Sequence, residues 1–126
     1  MKKIIYSLEE IELIASQIKQ EIVDCDVVTF SGSLGAGKTT LIRALGKSLG
    51  IKEDITSPTY AYLNLYEGDE HRRYAHFDLY RMRSVDDFIV MGFDEYLADI
   101  QIFVEWPDLL EPLLKIKIFT SVSFNQ

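Results

Sequence analysis

The sequence predicts an α/β fold, a three-layer sandwich with a mixed, mostly parallel central sheet and helices on its faces. Three observations lead there. Asp26–Phe30 (DVVTF) is a short β-branched run that passes through a glycine-rich stretch into a helical pattern. Residues 101–105 (QIFVE) read as a second buried strand. Residues 59–66 (TYAYLNLY) and 73–80 (RYAHFDLY) flank EGDEH, the pattern of a hairpin with a polar loop. Parallel-type and antiparallel signals in one chain of 126 residues imply one mixed sheet and one domain spanning 1–126.

The elements follow in order. Ser7 and Glu10 have the spacing of a capping box, and Ile11, Ile14, Ala15, Ile18 and Ile22 recur at helical spacing, which predicts an amphipathic helix over about 8–22. After the strand at 26–30, residues 40–49 read as a helix with Gly50 placed as its C′ residue. Beyond the hairpin, Ser84 and Asp87 predict a capped helix running to about Met91, and residues 94–99 add a turn or two. Residues 115–124 (KIKIFTSVSF) alternate apolar and polar, which predicts a half-buried antiparallel strand near a sheet edge.

Bulk properties narrow the function. Hydrophobic residues make up 48% and charged residues 26%, an ordinary globular mixture. No apolar run reaches the length of a membrane span, and the N-terminus lacks the apolar core of a signal peptide. Cys25 is the one cysteine, so no intrachain disulfide can form, and a cytoplasmic setting is expected. The net charge of −7 argues against a broad nucleic-acid surface. It does not argue against an anionic ligand, because charges beyond about 8 Å are largely screened at physiological salt.

The chemistry begins at residues 32–39. Gly32, Ser33, Leu34, Gly35, Ala36, Gly37, Lys38 and Thr39 match G-x-x-x-x-G-K-[ST] at every position. Glycines let the backbone curl with N–H groups pointing inward, where a side chain would block a phosphate. The following helix adds free N–H groups and the positive end of its dipole. Lys38 is placed to reach the β- and γ-phosphates, and the Thr39 hydroxyl to bind Mg²⁺. Guanine-specific relatives of this loop carry [NT]-K-x-D. The K-x-D here is Lys52-Glu53-Asp54, preceded by Ile51, so ATP is the expected nucleotide.

Such a site needs a carboxylate near the metal at a neighbouring strand end. Asp78 ends one strand pattern and Glu105 the other; pattern alone leaves both open. His76 shares a strand face with Asp78 and reads as a packed, hydrogen-bonded side chain rather than half of a metal pair. Arg72, Arg73, Arg81 and Arg83 fit hairpin solubility or contact with phosphate or a partner protein. Trp106 fits packing or ligand contact.

The motifs GSLGAGKTT, SPTY (57–60), HFDLYR (76–81) and VEWP (104–107), in this order, closely resemble the bacterial TsaE family, also called YjeE. These are small P-loop ATPases of tRNA threonylcarbamoyladenosine biosynthesis, and the resemblance runs from about residue 8 to 112. It implies a P-loop NTPase-like fold, with Thr40 beside the phosphates and Thr59 as the polar contact of a nucleotide-responsive segment. Asp78 is implied as the acid on the Mg²⁺ side. Glu105 is implied as an acid required for hydrolysis through water or metal-bound water, with Trp106 in the same motif. It also implies action with a TsaD-like transferase and a TsaB-like partner that modify adenosine 37, tRNA being met only indirectly. The family usually has an acid where this chain has Ser33, and relatives often continue past the last strand.

The expectation is therefore a cytoplasmic ATPase using ATP and Mg²⁺, slow without its partners because no arginine finger is evident within the chain. A small-molecule P-loop kinase and a nucleotide-gated binding module with negligible catalysis are the alternatives.

Overall fold

A computed structural model describes residues 2–6, 10–32, 37–58, 60–114 and 119–124. Among the described residues six strands form one sheet in the order β1-β6-β2-β5-β4-β3. They are β1 (Lys2–Tyr6), β2 (Val27–Ser31), β3 (Leu63–Glu67), β4 (Arg73–Asp78), β5 (Gln101–Glu105) and β6 (Phe119–Phe124). β3 runs antiparallel to β4, and every other pairing is parallel. This is the mixed, mostly parallel sheet expected.

Helices α1 (Ile11–Glu21) and α2 (Lys38–Ser48) cover one face. α1 turns Ile14, Ala15 and Ile18 inward, and α2 turns Leu41, Ile42 and Leu45. Together with Val28, Phe30, Phe103 and Val122 from the strands, they form one apolar core. Removing such side chains from water is the main favourable term holding a helix to a sheet. Lys19 of α1 donates to the carbonyl of Ser48 at 2.7 Å, placing a cation where the last turn of α2 has unpaired acceptors. α2 ends at Leu49, and Gly50 follows at φ +83, the C′ position predicted for it.

The opposite face is covered by α3 (Val85–Val90) and by the single turns α4 (Tyr96–Asp99) and α5 (Glu111–Leu114). Its core gathers Val27, Ala75, Phe77, Phe88, Ile102, Val104, Leu110 and Leu114. The predicted cap of α3 is present: Ser84 Oγ accepts from the N–H of Asp87 at 3.3 Å. Two cores with the sheet between them make the third layer. Among the described residues no helix is long and apolar enough to cross a membrane.

Two features depart from expectation. The strand predicted within 115–124 as antiparallel and near an edge is parallel, and it stands one strand in from the edge. β6 lies between β1 and β2 and is parallel to both. Val122 is fully buried while Ser121 and Ser123 are half-buried, so the alternation reflects unequal covering of the two faces, not an open edge. The second departure is β1, a strand the sequence does not signal; it forms the edge itself, with β6 beside it. Residues 115–118 and Ser7, the first member of the predicted capping box, lie outside the described residues. Glu10 occupies the N-cap of α1 without a side-chain cap bond.

Candidate functional site

The parallel register decides which side chains meet. Phe30 of β2 and Asp78 of β4 both stand opposite Glu105 of β5, so the three strands end within one residue of one another. Immediately beyond β2 comes the glycine-rich loop, and α2 starts on its far side. Ser33, Leu34, Gly35 and Ala36 lie outside the described residues, as does Thr59. The two ends of the loop are described. Gly37 occupies the N-cap of α2 at φ +97, a conformation in which an L side chain is strained.

Lys38 reaches back to the residue that opens the loop. Its Nζ donates to the carbonyl of Gly32 at 2.9 Å and lies 4.1 Å from the centroid of the Trp106 ring. The residue is buried, and burial lowers its pKa from 10.5, against the opposing influence of Glu105 and then Asp78. Thr39, one residue on, donates its hydroxyl to Glu105 Oε1 at 3.4 Å. Thr40 is exposed and lines a groove of about 420 Å³ between α1 and α2, with Ile11, Ala15, Arg43 and Ala44. It does not join the cluster of Lys38, Thr39 and Glu105.

The two acids are both buried and are held differently. Glu105 Oε2 meets His76 Nε2 at 2.8 Å, leaving Oε1 for Thr39. Asp78 accepts from Ser57 Oγ at 2.8 Å through Oδ2 and from the N–H of Tyr80 at 3.0 Å through Oδ1. Ser57 opens the SPTY segment, whose approach is tethered. Arg43 Nε donates to the carbonyl of Ile55 at 3.1 Å, and Asn64 Nδ2 to that of Thr56 at 3.3 Å. Tyr60, at the other end of the segment, is 80% exposed. Arg81 lies against its ring at 4.5 Å and donates to its hydroxyl at 3.3 Å, which accounts for one of the four arginines near the hairpin.

Trp106 has φ +57, uncommon for a bulky residue. The turn brings its ring within 5.0 Å of Tyr80 and under the Lys38 ammonium. The sequence reading singled out Trp106 but not Tyr80 or Ser57. The spacing D-x-Y, with an amide two residues after the acid, was the available signal for the Tyr80 bond.

Whether this set suits Mg²⁺ is answered by its donors. A hydroxyl and a carboxylate oxygen already meet at Thr39 and Glu105, and a second carboxylate stands opposite in register. These are hard oxygen donors of the kind Mg²⁺ takes. Among the described residues no three His, Cys, Asp or Glu side chains form a cage.

A strand, a glycine-rich loop bridged by its own lysine and a helix, set in this sheet, define a P-loop α/β protein of the nucleoside-triphosphate-binding class. Comparison with known proteins narrows the class. The sequence profile described as "Threonylcarbamoyl adenosine biosynthesis protein TsaE" matches residues 5–126, and the chain belongs to the TsaE family. It is 36% identical over 109 residues to the tRNA threonylcarbamoyladenosine biosynthesis protein TsaE of Rickettsia conorii, a match covering 86% of this chain and 62% of that protein. It is 34% identical over 120 residues to the protein of the same name from Aquifex aeolicus, covering 91% and 85%. Among solved structures, the crystal structure of Bacillus subtilus YdiB superposes with a TM-score of 0.60 at 32% identity, covering 82% of this chain and 62% of that one.

Proposed function

We propose that this chain binds ATP with Mg²⁺ at residues 32–39 and hydrolyses it slowly. We further propose that it acts as an accessory protein of tRNA N6-threonylcarbamoyladenosine formation at position 37. In this reading it works in the cytoplasm, drives or resets a TsaD-like transferase with its TsaB-like partner, and meets tRNA only through them. The observation that supports the chemistry best is the convergence of the Lys38 amine, the Thr39 hydroxyl and the Glu105 carboxylate beside the loop. Family membership supports the pathway. The net charge of −7 agrees with tRNA being held elsewhere.

Each residue has a task. Lys38 would exchange the Gly32 carbonyl and the Trp106 ring for phosphate oxygens, a charge-assisted contact stronger than either. Thr39 and Glu105, whose oxygens already meet, are the residues that would hold Mg²⁺, with Asp78 the next carboxylate along. Mg²⁺, when bound, supplies neutralisation of charge on the β- and γ-phosphates. Glu105 would orient the attacking water on the γ-phosphate. Asp78 would keep Ser57 against the site, so that Thr59 and its neighbours can respond to the nucleotide. Thr40 would face the nucleoside side of the ligand, toward the α1–α2 groove. The arginines whose contacts are seen, Arg43 and Arg81, are engaged with Ile55 and Tyr60. The charge that an arginine finger supplies would then come from a partner, a contribution of about 10³–10⁵ in related systems.

The test is phosphate release from ATP by the protein alone and with TsaB and TsaD, for wild type and Glu105→Ala. Slow release alone, acceleration in the complex and loss in the variant are expected. Rapid release by the isolated chain, indifferent to the partners, would overturn the accessory role.

A further inference from the structure

His76 lies on β4, two strands across the sheet from β2, which leads into the loop. It lies in the middle of β4, opposite Asn64 of β3 and Phe103 of β5, and no part of it is exposed. Its Nε2 is 2.8 Å from Glu105 Oε2. Its Nδ1 is buried and has no hydrogen-bond partner among the described residues.

The chemistry of the pair fixes the direction of the bond. An ionised carboxylate only accepts, so the proton between the two belongs to His76 Nε2. In a neutral ring Nδ1 is then a bare acceptor, which is the atom found without a partner. A buried polar atom left unsatisfied costs free energy that an apolar residue in the same place would not. Tyr74 and Phe103 show that aromatic residues pack on this face, their rings stacked at 5.6 Å. Packing alone therefore gives no reason for an imidazole here. What the imidazole adds is one N–H aimed at one oxygen of Glu105.

That oxygen matters because Glu105 has two. With Oε2 held from below, the carboxylate has one rotation about its own axis available, and Oε1 is the oxygen turned to Thr39. We propose that His76 is a positioning residue: its Nε2–H locks Glu105 so that Oε1 is the oxygen presented to the phosphate-loop side of the site. The proposal rests on the reading that Glu105 serves ATP hydrolysis. It gives the His of HFDLYR a task distinct from that of Asp78 two residues later: Asp78 holds the Ser57 segment, and His76 holds the other acid.

Two measurements test it. The first needs no turnover. The chain has two histidines, so nitrogen-15 histidine spectra carry two rings, and His71→Gln assigns them. His76 is expected as the Nε2–H tautomer with slow proton exchange, and Glu105→Gln is expected to shift that signal. An Nδ1–H tautomer, or a signal indifferent to Glu105→Gln, overturns the proposal. The second compares His76→Phe with His76→Gln, whose side-chain amide can restore a donor near the Nε2 position. His76→Phe is expected to lower kcat about 10- to 100-fold, the usual range for residues that orient a ligand-holding side chain, with Mg-ATP affinity within about threefold of wild type. His76→Gln is expected to recover much of the loss. Equal losses in both variants, or a loss expressed in affinity alone, overturn the proposal. If Glu105→Ala hydrolyses ATP at the wild-type rate, the reading of Glu105 falls and this one with it. If Glu105→Ala is inactive while His76→Phe is not, only the positioning role falls.

Discussion

Asp78 and Glu105 face each other in register at the ends of β4 and β5, yet their carboxylates are held by different partners. Asp78 is bound by Ser57 and the Tyr80 amide, Glu105 by His76 and Thr39. Two acids in one row with separate anchors are expected to fail separately. Glu105→Gln keeps the shape and removes the charge beside Thr39. Phosphate release should fall about 100-fold or more, the scale of a lost acid–base group, and more Mg²⁺ should be needed to saturate what remains. Asp78→Asn should cost about 10-fold, as an outer partner does. Proteolysis near Tyr60 should also become insensitive to added nucleotide. Single-turnover kinetics and limited proteolysis of both variants separate the two roles; identical profiles would show that they act as one.

Lys38 links binding to pH with a definite sign. Burial puts its pKa below 10.5 in the free protein, and the protonated form is the one that pairs with phosphate. Affinity for Mg-ATP should be level at neutral pH and fall as pH rises through the lowered value. Stability should run the other way in the window between that value and 10.5. There the unfolded chain still holds the lysine proton that the folded chain has released, so raising pH favours folding through this group. Calorimetric titration and urea melts on wild type and Lys38→Met check both directions. The variant should lose about 10- to 100-fold in affinity, the worth of one charge-assisted contact, and should lose both slopes.

Trp106 is the one tryptophan, and the Lys38 ammonium sits 4.1 Å from its centroid. Drawing the lysine onto a phosphate removes a cation from the ring face. Titration with Mg-ATP should therefore change the intrinsic fluorescence, and Lys38→Met should abolish the change. A wild-type spectrum that stays constant while calorimetry reports binding would count against this placement of the lysine.

Gly50 follows α2 at φ +83, and a Cβ there would strike the carboxylate of Asp69 in the hairpin loop. The same junction is tied by the Asp69 N–H to the carbonyl of Leu49 at 2.9 Å. Gly50→Ala should cost at least about 1–2 kcal/mol from the left-handed backbone alone, read as a lower urea midpoint at unchanged slope.

Phe77 is fully buried on the face away from α2, with ring centroids of Phe88 at 5.2 Å and Phe93 at 5.3 Å. Phe77→Ala should destabilise the fold by about 3–5 kcal/mol. Leu13→Ala, at a position 58% exposed on α1, should stay within about 0.5 kcal/mol. Thermal melts of the pair test whether the second core is as tightly packed as its rings suggest.

The elements that carry the nucleotide chemistry were legible because their signals are local. DVVTF, the glycine spacing and the apolar period of α2 all lie within some twenty residues, and each constrains its own backbone. The hairpin and the α3 cap were legible for the same reason. The ranking of Asp78 against Glu105 was not, because it depends on the partners of each acid. Ser57 is 21 residues from Asp78, and His76 is 29 from Glu105. The direction of β6 was not legible because alternation reports how much each face is covered, not how the neighbouring strands run. β1 was missed because five residues beginning KKII carry no turn or period to mark them. Its identity as a strand comes from pairing with residues near the other end of the chain.

The placement of β6 has a consequence for synthesis. β1 leaves the ribosome long before its sheet partner β6: Lys2 pairs with Thr120, 118 positions later. Until β6 emerges, β2 also has an open flank on that side. The nascent chain can wind α2 early, while β1 and β2 wait for the late strands that flank them. Between the synthesis of β1 and that of β6 two backbone edges stay unsealed, and a chain cut off before Phe119 would leave them open.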